Sequence, residues 1–304
     1  MMKYYNNKKI GITGYKGYIG SGLYYELKKL NCNLKCIDVD VSNKEEVKIE
    51  LEKNKFDIIF YLASVEVHYN NGNIDDIISQ REVNSSSILY FHDVIKDLDT
   101  KIVFTSSTNI YGDVNVDMVD ENIKDNPQSI WSIHKLLAEN YINLLFKNST
   151  IIRLPNVYGI NNKMIENNLN LEVMMRSVVN RAIKSGISEK RLCLFKNKDC
   201  LRDYVYIDDV VHALLLSGIY DNDEKYYIIG GCDKKTISHV WDIISKQLGN
   251  ILIEYKDQNL DPMEMRSYVG NYSRFSEFTG WNPMVNLQEG ISETIKNLKK
   301  REND

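Results

Sequence analysis

The sequence predicts an α/β protein built on a doubly wound parallel sheet, because apolar strands alternate with amphipathic helices in its first half. The run at 57–63 (DIIFYLA) is continuously apolar between polar residues, as expected of a parallel strand buried on both faces. The second half alternates less regularly, which indicates a smaller C-terminal α/β region.

The predicted elements follow from these patterns in chain order. The segment 18–30, for example, carries Ile19, Leu23 and Leu27 at helical spacing. We predict strands at 9–13, 34–41, 57–63, 101–106, 150–154, 192–195, 204–206 and 226–229. We predict helices at 18–30, 44–53, 77–98, 129–146, 173–185, 239–248 and 288–299.

The composition excludes several classes of protein. The chain has 304 residues, of which 43% are hydrophobic and 26% charged, with a net charge of −4, so no global field favours nucleic acid or an anionic membrane. No apolar run approaches the roughly 18 residues of a membrane span, and the polar start argues against a signal peptide. Five cysteines do not make a disulfide framework, and the scattered histidines lack metal-ligand spacing. We therefore expect a cytoplasmic protein with reduced thiols, no metal, and neither nucleic acid nor membrane as partner.

A glycine-rich loop follows the first predicted strand and opens the first helix. Gly14, Gly17 and Gly20 permit, in turn, a tight turn, close approach of a pyrophosphate, and close packing of helix on strand. The helix N-terminus adds unpaired N–H groups and a positive dipole end. This context indicates a dinucleotide site.

An acidic residue at the end of the second strand would complete that site. Asp38 lies 24 positions after Gly14, where its carboxylate would accept both ribose hydroxyls and repel a 2′-phosphate, which favours NAD over NADP. Asp40 and Val41 follow at once, in an Asp-Val-Ser triplet of a kind that often faces the adenine after a third strand. The segment between the second and third strands is therefore short, and NADP stays possible.

Six motifs in order then resemble the extended short-chain dehydrogenase/reductase family of nucleotide-sugar epimerases, dehydratases and 4-ketoreductases. Nearly the whole chain is covered, including the helix residue Asn84. The motifs are TGYKGYIG (13–20), FDIIFYLAS (56–64), FTSSTNIYG (104–112), RLPNVYG (153–159), RDYVYIDDV (202–210) and GWNP (280–283).

The resemblance implies a Rossmann fold, NAD or NADP as cofactor, a nucleotide-diphosphate sugar as substrate, and a homodimer formed through helices at about 82–97 and 129–146. It implies a dinucleotide-binding domain of 1–152 with about 203–229, and a nucleotide-sugar-binding region of about 153–202 with 230–304. It also implies cofactor contacts from the glycine loop and from the end of the third strand, namely Tyr15, Tyr18, Ile19, Leu62 and Ala63.

The resemblance places catalytic and substrate-binding groups as well. The Ser107 hydroxyl, at the carboxyl end of a strand, would bond the reacting sugar hydroxyl, with Thr108 and Asn109 beside it. These two residues replace the acidic pair of 4,6-dehydratases, which argues against that reaction. Asn156, Arg202 and Arg266 would hold the sugar diphosphate. We expect Asp208 and Asp209 to cap the helix that follows them.

One departure from the family affects the expected chemistry. The Tyr-x-x-x-Lys motif reads here Trp131-Ser-Ile-His-Lys135, so Lys135 is placed for the nicotinamide ribose but the phenol is missing. An indole N–H is only a donor, and loss of a positioned acid or base costs about 100- to 10,000-fold in rate. His134 or Tyr111 could supply the proton, bound substrate or water could transfer it, or the protein could bind without turnover.

Two functions remain open from the sequence. The first is NAD(P)-dependent epimerisation or 4-keto reduction of a nucleotide-diphosphate sugar. The second is a catalytically silent dinucleotide- or nucleotide-sugar-binding protein with a sensing or regulatory role. The expected phosphate ligands Asn156 and Arg202 favour the enzyme, whereas Trp131 favours the silent binder.

Overall fold

The computed structural model describes residues 1–66, 73–221, 226–231, 234–258, 260 and 262–303. The strands are β1 Lys9–Thr13, β2 Asn33–Cys36, β3 Ile58–Tyr61, β4 Lys101–Ser107, β5 Met118–Val119, β6 Ser149–Leu154, β7 Asn156–Tyr158, β8 Arg191–Leu194, β9 Leu201–Arg202, β10 Tyr204–Tyr206, β11 Tyr226–Ile228, β12 Lys235–Thr236, β13 Leu252–Tyr255 and β14 Val269–Gly270. The helices are α1 Met2–Tyr5, α2 Tyr18–Leu27, α3 Lys44–Lys53, α4 Ile74–Arg81, α5 Ser87–Ile95, α6 Ile130–Leu145, α7 Asn162–Glu166, α8 Leu171–Met174, α9 Val178–Glu189, α10 Ile207–Ile219, α11 Ile237–Gln247, α12 Pro262–Met265, α13 Ser273–Thr279 and α14 Leu287–Asn303.

A six-stranded sheet organises the first half in the order β11-β6-β4-β3-β1-β2. β1 pairs in parallel with β2 on one side and β3 on the other, and β3 pairs in parallel with β4. The strands are apolar because helices cover them, and all four residues of β3 are buried. The predicted α/β fold is confirmed, and the order of its strands reverses between β1 and β3, which is where ligands bind in such sheets.

The sheet has one strand fewer beyond β1 than the order 3-2-1-4-5-6 typical of dinucleotide-binding folds, so β2 is its edge. The predicted strand 34–41 is too long, because β2 ends at Cys36. A turn replaces the remainder: the Asp40 carboxylate accepts hydrogen bonds from the Ser42 amide and hydroxyl, and Asn43 then caps α3. This turn shortens the segment, as the sequence indicated.

The helix predicted at 77–98 begins earlier, at Ile74, and is interrupted by a π-helical turn at Glu82–Ser86. Ser85 and Ser87 each donate a hydroxyl hydrogen bond to the carbonyl four residues back, a contact that competes with regular helical bonding. Such π turns are frequent at functional sites.

The helix predicted at 173–185 is likewise two helices, α8 and α9. The Arg181 guanidinium donates to the carbonyls of Met175 and Arg176, and so satisfies backbone groups where the chain breaks between the helices. The pattern of apolar residues could not reveal this break, because it depends on a side chain within the second helix.

The chain divides into two compact units, 1–110 with 125–153 and 213–227, and 111–124 with 154–212 and 228–304. Segments 111–124 and 203–212 thus cluster with the second unit, although the sequence-based division placed 111–124 and about 203–212 in the first domain. Strand pairing explains both, because β10 pairs with β7 and β5 pairs with β14.

Asp209 joins two distant segments of the second unit. Its buried carboxylate accepts hydrogen bonds from the backbone amides of Met284 and Val285, while the Trp281 indole donates to its carbonyl. The Asp208 carboxylate accepts a hydrogen bond from the side-chain amide of Asn161. The expectation that these aspartates cap α10 is therefore wrong, since both carboxylates bond to residues distant in sequence. Among the described residues, no helix is long and apolar enough to cross a membrane.

Candidate active site

The glycine loop has the geometry that its spacing predicts. Gly14 adopts φ +64°, and a Cβ there would lie 2.8 Å from the backbone of Leu62 and Ala63. A Cβ on Gly20 would lie 2.1 Å from the Gly14 carbonyl oxygen, which explains the third glycine as the point of closest helix–strand approach. Gly17 precedes α2 and donates its amide to the Gly14 carbonyl. A compact turn therefore leads into the N-terminus of a ten-residue helix, which is the cradle a pyrophosphate requires.

Asp38 lies just beyond β2 and is already partnered. Lys16 Nζ is 2.9 and 2.8 Å from its two carboxylate oxygens, and the Tyr15 hydroxyl donates to it at 2.9 Å. The hydrogen bond from Lys16, with that from Tyr15, holds the pKa of Asp38 below its usual value. The carboxylate is thus ionised and exposed, as a ribose ligand must be.

The loop after β3 is fixed from two sides. The Thr13 hydroxyl oxygen accepts hydrogen bonds from the amides of Leu62 and Ala63. From the π-helical turn, the completely buried Asn84 accepts from the Val65 amide at 2.9 Å and donates to the Val65 carbonyl at 2.6 Å. The backbone of this loop is therefore held at the carboxyl end of the sheet next to the glycine loop.

Ser107 ends β4, and a 3-10 turn at Thr108–Tyr111 follows it. Its hydroxyl oxygen accepts a hydrogen bond from the Asn109 amide at 3.1 Å, and within the described residues its proton is left for a ligand. Ser107 and Thr108 are both buried side chains. The serine thus both caps the turn and presents a donor at the strand end.

Lys135 lies on the face of α6 that packs against β4. Its Nζ donates to the Thr105 carbonyl at 3.0 Å and lies 4.8 Å from the Phe104 ring centroid. Trp131, one helical turn earlier, has its ring centroid 5.7 Å from the same nitrogen. Burial lowers the pKa of Lys135 to about 7, and the charge of Glu139 opposes this shift.

The two alternative proton donors lie in different surroundings. His134 is buried on α6, its Nδ1 has no hydrogen-bond partner among the described residues, and burial together with Arg81 lowers its pKa. Tyr111 is completely buried and belongs to the second unit. Of the proposed catalytic residues, the structure brings Trp131 and Lys135 together beside the strand that carries Ser107.

The second unit contains the three residues expected at the sugar diphosphate. The Asn156 amide donates to the Asp203 carbonyl, next to Arg202. The Arg202 guanidinium donates to the carbonyls of Leu201, Glu264 and Arg266, so it holds the segment that carries Arg266. The Arg266 guanidinium lies 5.7 Å from the centroid of the Tyr268 ring and has no hydrogen bond or ion pair to the described residues, and desolvation lowers its pKa.

Three groups in this arrangement were not among the predicted site residues: Thr13, Lys16 and Asn84. Thr13 and Lys16 lie within the glycine-loop motif, and Asn84 was recognised as a helix residue of the family, so the signal was present. The partners of Lys16 and Asn84, however, are 22 and 19 residues away, those of Thr13 are 49 and 50 residues away, and all of them meet only in the folded chain.

Comparison with known proteins identifies the family. Residues 10–230 match the model of the NAD dependent epimerase/dehydratase family. A putative UDP-glucose 4-epimerase of Methanocaldococcus jannaschii is 24% identical over 95% of this chain and 97% of that protein. A dTDP-4-dehydro-6-deoxyglucose reductase of Escherichia coli is 22% identical over 95% of this chain and 96% of its own length. The solved UDP-glucose 4-epimerase of Thermotoga maritima, with UDP-glucose, superimposes with a TM-score of 0.80 at 22% identity, covering 96% of this chain and 99% of that one.

The fold and the glycine loop define a dinucleotide-binding α/β protein of the Rossmann class. The chain belongs to the NAD dependent epimerase/dehydratase family. The predicted family, enzyme class and nicotinamide dinucleotide cofactor are thereby confirmed, and the residues of the first unit fit that cofactor.

Proposed function

We propose that this protein epimerises a nucleotide-diphosphate sugar at C4 or reduces its 4-keto form, with NAD or NADP as cofactor. The two relatives named above are a putative epimerase and a reductase, which supports this pair of reactions. Thr108 and Asn109, in place of an acidic pair, argue against 4,6-dehydration.

The observation that carries the proposal is Arg266. Arg266 is half-buried, and a guanidinium partly withdrawn from water is normally paired with an anion, because a partly desolvated charge without a partner is costly. Arg266 has no ion pair or hydrogen bond from its side chain to the described residues, and Arg202 fixes its backbone. A diphosphate would supply the missing anion through a bidentate contact. A protein that senses only a dinucleotide has no need of this second anion site.

Calorimetry with a set of nucleoside diphosphates and nucleotide sugars tests the anion site. We expect Arg266→Gln to weaken binding about 10- to 100-fold, which corresponds to the loss of a charge-assisted contact. Arg191→Gln is the matched control, since Arg191 is an exposed arginine of the same unit, paired with Glu189 and Glu254. Equal affinity in parent and Arg266→Gln would remove the support for a sugar-diphosphate ligand.

In this proposal, the residues of the first unit bind the cofactor and orient the sugar. The bound dinucleotide supplies hydride transfer at its nicotinamide ring. Gly14, Gly17 and the α2 N-terminus hold the pyrophosphate, while Asp38 holds the adenosine ribose. Ser107 donates its hydroxyl proton to the sugar oxygen and so orients the reacting carbon.

The second candidate, a catalytically silent binder, rests on Trp131. Its indole N–H cannot take up a proton near neutral pH, and it occupies the position of the family's acid–base tyrosine. The two candidates differ in turnover alone. Mass spectrometry of the molecules released on denaturation identifies the bound cofactor, and assays with that cofactor and a panel of nucleotide sugars then decide between them.

We also propose a homodimer, which α6 supports. Ile133, Leu137, Tyr141 and Leu144 share one face of this helix at spacings of three and four residues. Leu144 is 82% exposed and Ile133 48%, whereas the opposite face, with Ala138 and Ile142, is buried in the core. Leu89 and Leu136, from the predicted interface, are half-buried, but Ile88 lies in the core. Exposed apolar residues near both ends of this face, on a helix whose opposite face is buried, fit a second copy of the chain.

A further inference from the structure

We propose that the side-chain amine of Lys135 replaces the missing phenol as the group that exchanges the reaction's proton. This inference rests on the proposed function. It gives the role of proton exchange to the lysine of the Tyr-x-x-x-Lys motif, which ordinarily binds the ribose and lowers the pKa of the tyrosine. Among the first unit's candidates, it is the one beside the strand that ends in Ser107.

The surroundings of Nζ contain few protein acceptors. An ammonium has three N–H donors and no lone pair. Lys135 is 2% exposed, and the Thr105 carbonyl is the only hydrogen-bond acceptor that its Nζ reaches in the described part of the chain. The described residues thus supply one acceptor for the three donors of an ammonium, whereas a neutral amine keeps a lone pair that can accept a proton.

Among the described residues, no carboxylate pairs with Lys135. Glu139, one helical turn later, is the only charged group of the described residues that bears on its pKa, and it pairs with the buried Arg153, at 2.5 Å. The charged groups on the other elements packed against α6 do not bear on the pKa of Lys135, and most have partners of their own. Lys101 on β4 forms an ion pair with Asp221, and Asp93 on α5 forms one with Lys44. Glu82 on the π-helical turn pairs with Arg81 and accepts a hydrogen bond from the Tyr90 hydroxyl. On α4, Asp75 is exposed and Asp76 is half-buried.

The neighbouring rings do not reverse this balance. Two rings, Phe104 and Trp131, lie within 6 Å of Nζ, and a cation over an aromatic face is stabilised modestly. Burial of an uncompensated charge costs more than such a contact returns. In agreement with this, burial lowers the pKa of Lys135 to about 7, where a group exchanges protons most effectively near neutral pH.

Lys135 also lies near the end of the strand that carries Ser107. Thr105, which accepts its hydrogen bond, is two residues before Ser107 on the same strand, or roughly 6.6 Å along it. In reduction of a 4-keto sugar, C4 would receive a hydride from the bound dinucleotide. The Ser107 hydroxyl gives its proton to the sugar oxygen and is reprotonated from the Lys135 ammonium, which becomes an amine. Oxidation of the alcohol runs the same transfers in reverse, so protons and electrons balance in both directions.

Titration of the lysine side chains by NMR tests the proposal without any assay of activity. In protein labelled with ¹³C at lysine Cε, we expect one resonance to titrate near pH 7 and to vanish in Lys135→Arg. A resonance of Lys135 that titrates near 10, as an ordinary lysine does, overturns the proposal whatever the protein catalyses.

Activity of paired variants tests the role of the proton. Arginine keeps the charge but does not deprotonate, so Lys135→Arg should bind the dinucleotide and lose at least 100-fold in reduction of a keto sugar. In the Trp131→Tyr background the same substitution should lower the rate of reduction less than 10-fold. The restored phenol then exchanges the proton, and a permanent cation beside it is enough to lower its pKa. The parent rate of reduction should also fall as pH rises through about 7.

The outcomes distinguish a failure of the proposed role of Lys135 from a failure of the proposed function. A Lys135→Arg variant as active as the parent, or an equal loss in both backgrounds, overturns the role of the amine while the proposed function stands. Dinucleotide binding without turnover by the parent on any nucleotide sugar overturns the proposed function, and with it this proton transfer.

Discussion

Lys16 Nζ lies 2.9 and 2.8 Å from the two carboxylate oxygens of Asp38, so the residue expected to select NAD is neutralised by a cation from the glycine loop. Both side chains are more than half exposed, and such surface pairs contribute only about 0–1 kcal/mol. A bound cofactor can therefore separate them at little cost, and either residue can become its ligand.

The first prediction concerns this choice of cofactor. We expect the parent to bind NADH more tightly than NADPH, because a ribose with free hydroxyls can replace Lys16 on Asp38. Asp38→Asn should weaken the binding of NADH about 10-fold and leave Lys16 available to a 2′-phosphate. Lys16→Met should instead weaken the binding of NADPH. Dissociation constants from fluorescence titration decide this, and a parent that prefers NADPH would refute the role of Asp38.

The second prediction concerns the clamp on the loop after β3. Asn84→Asp loses the donor to the Val65 carbonyl and places a carboxylate in a fully buried site. We expect dinucleotide affinity to fall about 10-fold and thermal stability to drop. Asn140→Asp, on the exposed side of α6, is the control and should change neither. Unchanged binding by a folded Asn84→Asp variant would show that the loop does not depend on this residue.

The third prediction follows from the buried amine. The folded pKa of Lys135 is about 7 against an ordinary value of 10.5, so between these pH values the unfolded chain binds more protons and stability rises with pH. Lys135→Met keeps the aliphatic packing without this penalty. It should be more stable than the parent at pH 7, by on the order of a few kcal/mol, and this advantage should shrink towards pH 10.

Urea unfolding of parent and variant at both pH values measures this difference. The exposed Lys48→Met serves as the control and should match the parent throughout. A Lys135→Met advantage that is absent at pH 7, or equal at both pH values, would mean that the amine carries no burial penalty.

The fourth prediction concerns assembly. Light scattering at micromolar concentration should give the mass of two chains, and Leu144→Glu should give one, because a charge on the apolar face of α6 opposes its burial. Ile49→Glu changes an apolar residue of α3 that is also exposed, and should remain a dimer. A parent with the mass of a single chain would contradict the dimer.

The sequence predicted those features that depend on residues close together in the chain. Gly14, Gly17 and Gly20 lie within one turn, so their spacing alone defines the loop. Helical spacing placed Lys135 beside Trp131. The distance of 5.7 Å between Lys135 Nζ and the Trp131 ring centroid agrees with this. The shortened connection after Asp38 was visible too, although the early end of β2 was not.

Features that depend on tertiary contacts could not be predicted. The burial of Lys135 and the diversion of Glu139 to Arg153 require α6, β4 and β6 to be in place. Asp209 looked like a helix cap because capping is local, yet its partners are 75 and 76 residues away. Arg202 matched a motif, but its contacts with the backbone around Arg266 arise only from the fold.

Oxidation of NADH or NADPH, followed at 340 nm with a panel of 4-keto nucleotide sugars and accompanied by isotope exchange at C4 for epimerisation, tests the central claim most directly. The account predicts turnover by the parent and a loss of at least 100-fold in Ser107→Ala, because the serine hydroxyl contacts the reacting oxygen. Cofactor affinity should be the same in both proteins. Turnover that does not depend on Ser107, or no turnover of any nucleotide sugar, would contradict the account.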